Sequence, residues 1–316
     1  MLAPRRRTAA GGVDTSAVGT RGGMATASTG RTGGQRVVDA LISAGVRHVF
    51  GIPGTFNVVQ HAAVANPHHH LGATCDHPTT TPLLHHRPPP HHTPSSGTHT
   101  VPIYKELEAR RGSIHHITTR HESGAGYAAD GYARATGDMA AVCVITGVGL
   151  TNTITPMAVA LADSVPMLVI SSEVPQYWQG KPSRQYSHFV PNCGGLAASV
   201  CKPGGSFSVK SADDIADTVL EACTLARSGR PGPVHVSIGI EMLTSPAASF
   251  GSEVAAGIEP SALPAVQKEL EAVAQVLTAS QRPVIIAGGG TVGASALLTT
   301  LAEALDAPVL STVAGK

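Results

Sequence analysis

Aromatic residues make up only 3% of this 316-residue chain, with a single tryptophan, so it offers few platforms for stacking nucleic-acid bases. Charge of one sign is also scarce. Lysine and arginine number 22 against 21 acidic residues, a net +1 that leaves no basic footprint for a polyanion. The five cysteines (Cys75, Cys143, Cys193, Cys201, Cys223) form no C-x-x-C pair and no zinc-ligand spacing, which argues against a disulfide framework or a structural metal. No apolar run reaches the ~18 residues that a membrane span requires. These absences lead to the expectation of a soluble, reduced, intracellular protein with no nucleic-acid partner, no membrane partner and no metal ligands of its own.

Apolar content is ample, at 42% hydrophobic residues, and the length suits two domains. The most informative stretch is 119–172. Arg120-His121-Glu122 opens a small-residue helix predicted over 123–136. An apolar strand over 140–146 follows, then a turn at Gly147-Val148-Gly149, a helix ending near Asp163 and a strand over 166–171. Strands that read as unbroken apolar runs belong to parallel sheets covered on both faces. The predicted class is therefore α/β, a parallel sheet flanked by helices. Such sheets hold ligands beyond the carboxyl ends of their strands, where Glu122 and residues 147–152 fall.

Three motifs run in order here: R-H-E-x-x-A-x-x-A-A-D-G-Y-A-R-A-T-G, T-G-x-G-x-T-N and A-D-S-V-P-M-L-V-I-S. Together they closely resemble the pyrimidine-binding domain of thiamine-diphosphate (ThDP) enzymes, in particular acetolactate synthases and related 2-oxo-acid decarboxylases. The resemblance extends over about residues 35–316, apart from one anomalous block. It implies the ThDP-binding fold, a ThDP cofactor with Mg²⁺, and a homodimer or homotetramer acting on a small 2-oxo acid.

The remaining segments fit around this centre. Residues 1–33 carry five arginines against one acid, Asp14, when Arg31 is included, and read as a disordered or transit-like tail. The location is accordingly expected to be cytoplasmic, or mitochondrial or plastid if the tail is a transit peptide. The pyrimidine-binding domain is expected over 34–243. Its opening helix near Val37, Val38, Leu41 and Ile42 ends at Gly45, and a strand leads into Gly51-Ile52-Pro53-Gly54. Residues 59–100 interrupt the pattern with seven prolines and ten of the 16 histidines. They read as an insertion or a translated intron, because no acidic or cysteine partners recur at metal-ligand spacing. Residues 173–209 read as irregular. Ser211 is placed to cap a helix over 213–226, and 234–238 is the next strand. A Ser/Ala/Gly/Pro-rich linker spans 244–263, and a second, Rossmann-like α/β domain begins at 264 and is expected to be truncated at 316.

The resemblance makes Glu122 the catalytic candidate. In the family, a buried glutamate at the matching position hydrogen-bonds N1′ of the cofactor's aminopyrimidine and so favours removal of the thiazolium proton. The competing reading of the residue alone is an acidic group at a helix start, where acids are common. Gly51, Pro53, Gly54, Gly147, Gly149 and Asn152 are the candidate cofactor contacts, with plain strand-to-helix turns as the alternative. His188 is a weak substrate-facing candidate. His115 and His116 resemble the paired histidines of some decarboxylases, but they precede the glutamate instead of following it. Gly288, Gly290 and Gly293 fit G-x-G-x-x-G between a strand and a helix and leave FAD open, although the acid expected about 20 residues on is missing. No G-D-G motif occurs, so the family's Mg²⁺ and diphosphate ligands are not in this chain. The functional expectation is an acetolactate synthase-like carboligase fragment. The alternatives are a 2-oxo-acid decarboxylase, a non-catalytic nucleotide-binding module and an inert gene fragment.

Overall fold

The computed structural model describes residues 30–53, 99–174, 190–246 and 267–315. The expectations for the arginine-rich tail, for nearly all of the His/Pro-rich block, for most of the linker, and for Gly54 and His188 lie outside the described residues.

Helix α1 (Gly33–Ser43) opens with a capping box. Thr32 accepts from the Gln35 amide, and the Gln35 side chain accepts from Thr32 N at 3.0 Å. Its apolar stripe of Val37, Val38 and Leu41 is fully buried, and Gly45 ends it at a φ of 76°. β1 (His48–Gly51), α2 (Val101–Ala109) and the edge strand β2 (His115–Thr118) follow. α3 (Glu122–Thr136) is closed by Gly137 in the left-handed region. After β3 (Ala140–Val144) come the short α4 (Val148–Thr151), α5 (Ile154–Asp163) and β4 (Met167–Glu173). α6 (Cys193–Ala198), β5 (Ser206–Ser208), α7 (Ile215–Arg227), β6 (Pro233–Gly239) and α8 (Ile240–Thr244) complete this unit.

The six strands form one parallel sheet in the order β2-β1-β3-β4-β6-β5. Alternation along each strand sends neighbouring side chains to opposite faces. Ala141, Cys143, Leu168, Ile170, Val234 and Val236 join the core beneath α1, α2 and α7. Ala140, Val142, Val144, Met167 and Val169 join a second core with residues of α3 and α5. Both faces are covered, which is why these strands read as continuous apolar runs.

Two local expectations are corrected. Residues 173–209 are not irregular throughout: β4 extends through Glu173, and α6 and β5 are regular elements. β5 escapes a periodicity reading because it is a three-residue, largely polar edge strand held by pairing with β6. Ser211 does not cap α7 through a helix amide. Its hydroxyl donates to the Asp214 carboxylate at 2.8 Å, and the helix starts at Ile215.

Residues 267–315 make a smaller unit: α9 (Gln267–Ala279), β7 (Ile285–Ala287), a 3-10 turn (Gly289–Thr291), α10 (Ser295–Leu305), β8 (Val309–Ser311) and a final 3-10 turn (Val313–Gly315). β7 and β8 pair in parallel across α10, giving a single strand–helix–strand crossover. Among the described residues, no helix is long and apolar enough to cross a membrane.

Candidate active site

Glu122 stands where β2 hands over to α3, at the carboxyl edge of the sheet. The neighbouring His121 caps the helix, its Nδ1 accepting from the Ser123 amide at 3.2 Å. Glu122 is therefore released from the capping role that its position at a helix start would otherwise suggest. Its carboxylate turns toward Asn152, whose side-chain amide donates to Oε2 at 2.9 Å. Ser123 closes the same contact from the other side, donating its hydroxyl to the Asn152 carbonyl at 2.6 Å. The two segments that the motifs mark, 120–123 and 147–152, are thus pinned together. Glu122 is half-buried, and Oε1 meets no protein donor among the described residues.

The glycines around this point have distinct reasons to be glycine. Gly147 adopts φ 62° and ψ −105°, a region that side chains with a Cβ avoid, and it turns the chain out of β3 into α4. A Cβ at Gly149 would come within 2.7 Å of the Ile145 side chain. At Gly51 an added Cβ would meet the Cys143 carbonyl and the Tyr104 hydroxyl. The close approach at Gly51 is therefore made by the protein's own groups, with Tyr104 Oη donating to Cys143 O at 2.6 Å. Tyr104 is pushed up by burial first, then by the Cys143 thiol, and to a smaller extent by Glu122. Pro53 lies half-buried just past β1.

Two family models match the chain: the thiamine pyrophosphate enzyme N-terminal TPP binding domain over residues 93–192, and the thiamine pyrophosphate enzyme central domain over 270–316. The chain belongs to the thiamine pyrophosphate enzyme family. Among its relatives, the probable 2-ketoarginine decarboxylase AruI of Pseudomonas aeruginosa is 38% identical over 70% of this chain and 38% of its own length. The acetolactate synthase large subunit of Lactococcus lactis is 35% identical over 68% of this chain and 37% of its own. The acetolactate synthase isozyme 3 large subunit of Escherichia coli is 32% identical over 89% and 41%, respectively. The chain thus spans about two fifths of the length of these relatives, between 37% and 41%.

One feature of this thiamine pyrophosphate enzyme chain was missed by the sequence reading. On the face of the sheet that carries Met167 and Val169, the same strands turn polar toward their carboxyl ends. Register places Ser171 opposite Ser237 and Glu173 opposite Gly239, while Ser206 and Ser208 of β5 face His235 and Ser237. His235 is fully buried, with Nε2 2.8 Å from Ser171 Oγ and Nδ1 3.3 Å from Ser206 Oγ. Burial lowers its pKa to about 4, so the ring is neutral and each nitrogen has a hydroxyl partner. The signal was present as polar residues at alternate positions in Val234-His235-Val236-Ser237-Ile238, inside an otherwise apolar sheet.

In the central-domain segment, Gly288, Gly290 and Gly293 form a turn between β7 and α10. The Thr291 and Val292 amides donate to the Gly288 and Gly289 carbonyls at 3.0 and 3.3 Å, and the Ala294 amide donates to Thr291 O at 2.9 Å. Three of the donors that a phosphate would recruit there are engaged within the turn. Among the described residues, no cluster of histidine, cysteine or acidic side chains has metal-binding geometry.

Proposed function

We propose that this chain forms the pyrimidine-side portion of a ThDP-dependent enzyme acting on 2-oxo acids, with Glu122 as the carboxyl group that faces N1′ of the aminopyrimidine. The observation that carries the proposal is the posture of Glu122. Its carboxyl is freed from helix capping by His121 and oriented through one oxygen by Asn152, leaving the other oxygen for a ligand. A single fixed donor sets the rotamer without neutralising the group, so the carboxyl stays able to take or hold a proton at N1′. ThDP, when bound, supplies the electron sink for breaking the bond to the 2-oxo acid's carboxyl carbon.

Other residues support the same reading. Gly147, Gly149 and Asn152 hold the backbone of the turn where the pyrimidine edge would lie, and Pro53 borders it from β1. Gly54 and His188 remain candidates on the resemblance alone. The resemblance makes a second copy of the chain the expected partner at this edge of the sheet. Mg²⁺ and the diphosphate are assigned to none of the residues described in this chain. FAD stays a candidate on the resemblance alone, at a turn whose Thr291 and Val292 amides are engaged internally.

Carboligation of the acetolactate synthase type is the first reading of the reaction. Decarboxylation to an aldehyde is the second, favoured by the decarboxylase among the relatives. The domain division carries over as a proposal: a pyrimidine-binding unit over 34–243, a linker over 244–263 and central-domain sequence from 264. Two measurements test the function. With pyruvate and ThDP in the intact enzyme, acetolactate supports the first reaction and acetaldehyde the second. Glu122→Gln should lower either rate by about 10²- to 10⁴-fold, the range for losing a positioned acid–base group. An unchanged rate would remove Glu122 from the mechanism.

A further inference from the structure

The polar carboxyl ends of β4, β6 and β5 do more than fill space. With α6 they enclose an open cavity of about 510 Å³, a size typical of small-molecule sites. Glu173, the last residue of β4, is on its wall, and its carboxylate is fixed from three directions. Thr146 Oγ1 donates to Oε1 at 3.3 Å, the Val174 amide donates to Oε1 at 3.0 Å, and Ser237 Oγ donates to Oε2 at 3.3 Å. All three partners are neutral donors, which orient the group and leave its charge unpaired. No lysine, arginine or histidine is among the described residues that line the cavity. The effect of Glu173 reaches across the cavity floor, where the Cys193 thiol is pushed up by burial and then by this carboxylate.

The remaining walls divide into hydroxyls at Ser206 and Ser208 and apolar surface at Val174, Val190 and Phe207. Among the described lining residues, an anion would meet the Glu173 carboxylate and no cationic side chain. A neutral apolar ligand would leave the carboxylate desolvated and unmatched, which is costly. A ligand with a planar or tetrahedral cationic head and a short methylene stem satisfies both parts: the head takes the carboxylate and the serine hydroxyls, and the stem lies on the apolar wall.

We propose that the cavity lined by Glu173, Asn192, Ser208 and Ser237 binds an organic monocation, a guanidinium or ammonium on a short aliphatic stem. The site is separate from Glu122. Thr146, which orients Glu173, and Asn152, which orients Glu122, stand six residues apart on either side of α4, and Glu122 is not among the residues lining the cavity. The proposal does not depend on ThDP binding, and a chain that failed to bind the cofactor would still show it.

Calorimetric titration of the intact chain with butylguanidinium, and with its uncharged analogue butylurea, tests the assignment. Butylguanidinium should bind at least about tenfold more tightly than butylurea, the discrimination expected of a charge-assisted hydrogen bond. Glu173→Gln should remove most of that preference while the far-ultraviolet circular dichroism stays unchanged. Gly194→Leu provides a second variant. A Cβ at Gly194 has only Ser206 Oγ near it, at 3.9 Å, so a leucine there would extend into the cavity and should abolish binding with Glu173 intact. Equal binding of the two probes, or binding that survives both substitutions, would overturn the proposal. Competition between the cation and a 2-oxo acid substrate would identify the cation as the substrate's own tail; independent binding would identify a separate ligand. Both results support the site.

Discussion

The two α/β units of this chain are built from similar sequence patterns and differ in what those patterns bury. In the first, six parallel strands are covered on both faces, and residues such as Leu168 and Ile170 have 0% exposure. In the second, α9 and α10 are amphipathic and β7 and β8 pair in register, yet Val276 and Ile286 are each 71% exposed and Leu297 is 75% exposed. Ala287 is the one buried apolar side chain among its described residues. Helical periodicity and strand pairing thus suffice to specify local elements, whereas stability comes from the layers packed against them.

The largest test of that contrast uses one substitution in both units. Leu168→Ala should cost about 2–5 kcal/mol in urea unfolding, the usual range for emptying a packed leucine site. Leu297→Ala should change stability by less than about 0.5 kcal/mol, as exposed substitutions do. Equal costs would show that the second unit carries a core of its own.

Acid should act on the first unit through its histidines, since residues 267–315 contain none. Burial lowers His235 to about 4, against an unfolded value near 6.5. Unfolding therefore takes up a proton between these values. The contribution of His235 is full above about pH 6.5 and declines by up to ~1.4 kcal/mol per pH unit as pH falls toward 4. His48 and His116 are lowered as well, chiefly by burial, and act in the same direction. Unfolding midpoints at pH 7.5 and 5 should reveal the slope. His235→Asn, which retains polar partners for Ser171 and Ser206 without titrating, should flatten it.

The smallest effect concerns charge. Arg134 bridges Asp130 and Asp163 at 2.7 Å each, but it is 43% exposed, so solvent screens most of the attraction. Arg134→Gln should cost roughly 0.2–1 kcal/mol and lose that difference in high salt. A larger loss would mean that surface ion pairs, as well as burial, distinguish the first unit from the second.

Much of the fold was legible along the chain. The helix from Glu122 to Gly137, the apolar strands around Ala140, Met167 and Val234, and the helices near 267–279 and 295–305 all follow from periodicity and glycine stops. β5 was not legible, because three polar residues become a strand only when β6 supplies the partner. The candidate site was legible in part. Motif spacing singles out Glu122, Gly147 and Asn152 separately, but their contact joins segments 30 residues apart. The polar face of His235, Ser237 and Glu173 went unread for a similar reason: alternation reveals a strand's two faces without saying what each one meets.

The sequence by itself determined most of the elements, the parallel α/β class and the family, because periodicity, glycine stops and motif spacing are properties of neighbouring residues. Only the tertiary structure decided how the Glu122 and Glu173 carboxylates are oriented. Release of Glu122 from its helix by His121, and orientation of Glu173 by Thr146, Val174 and Ser237, depend on hydrogen bonds that form once the sheet brings distant strand ends together.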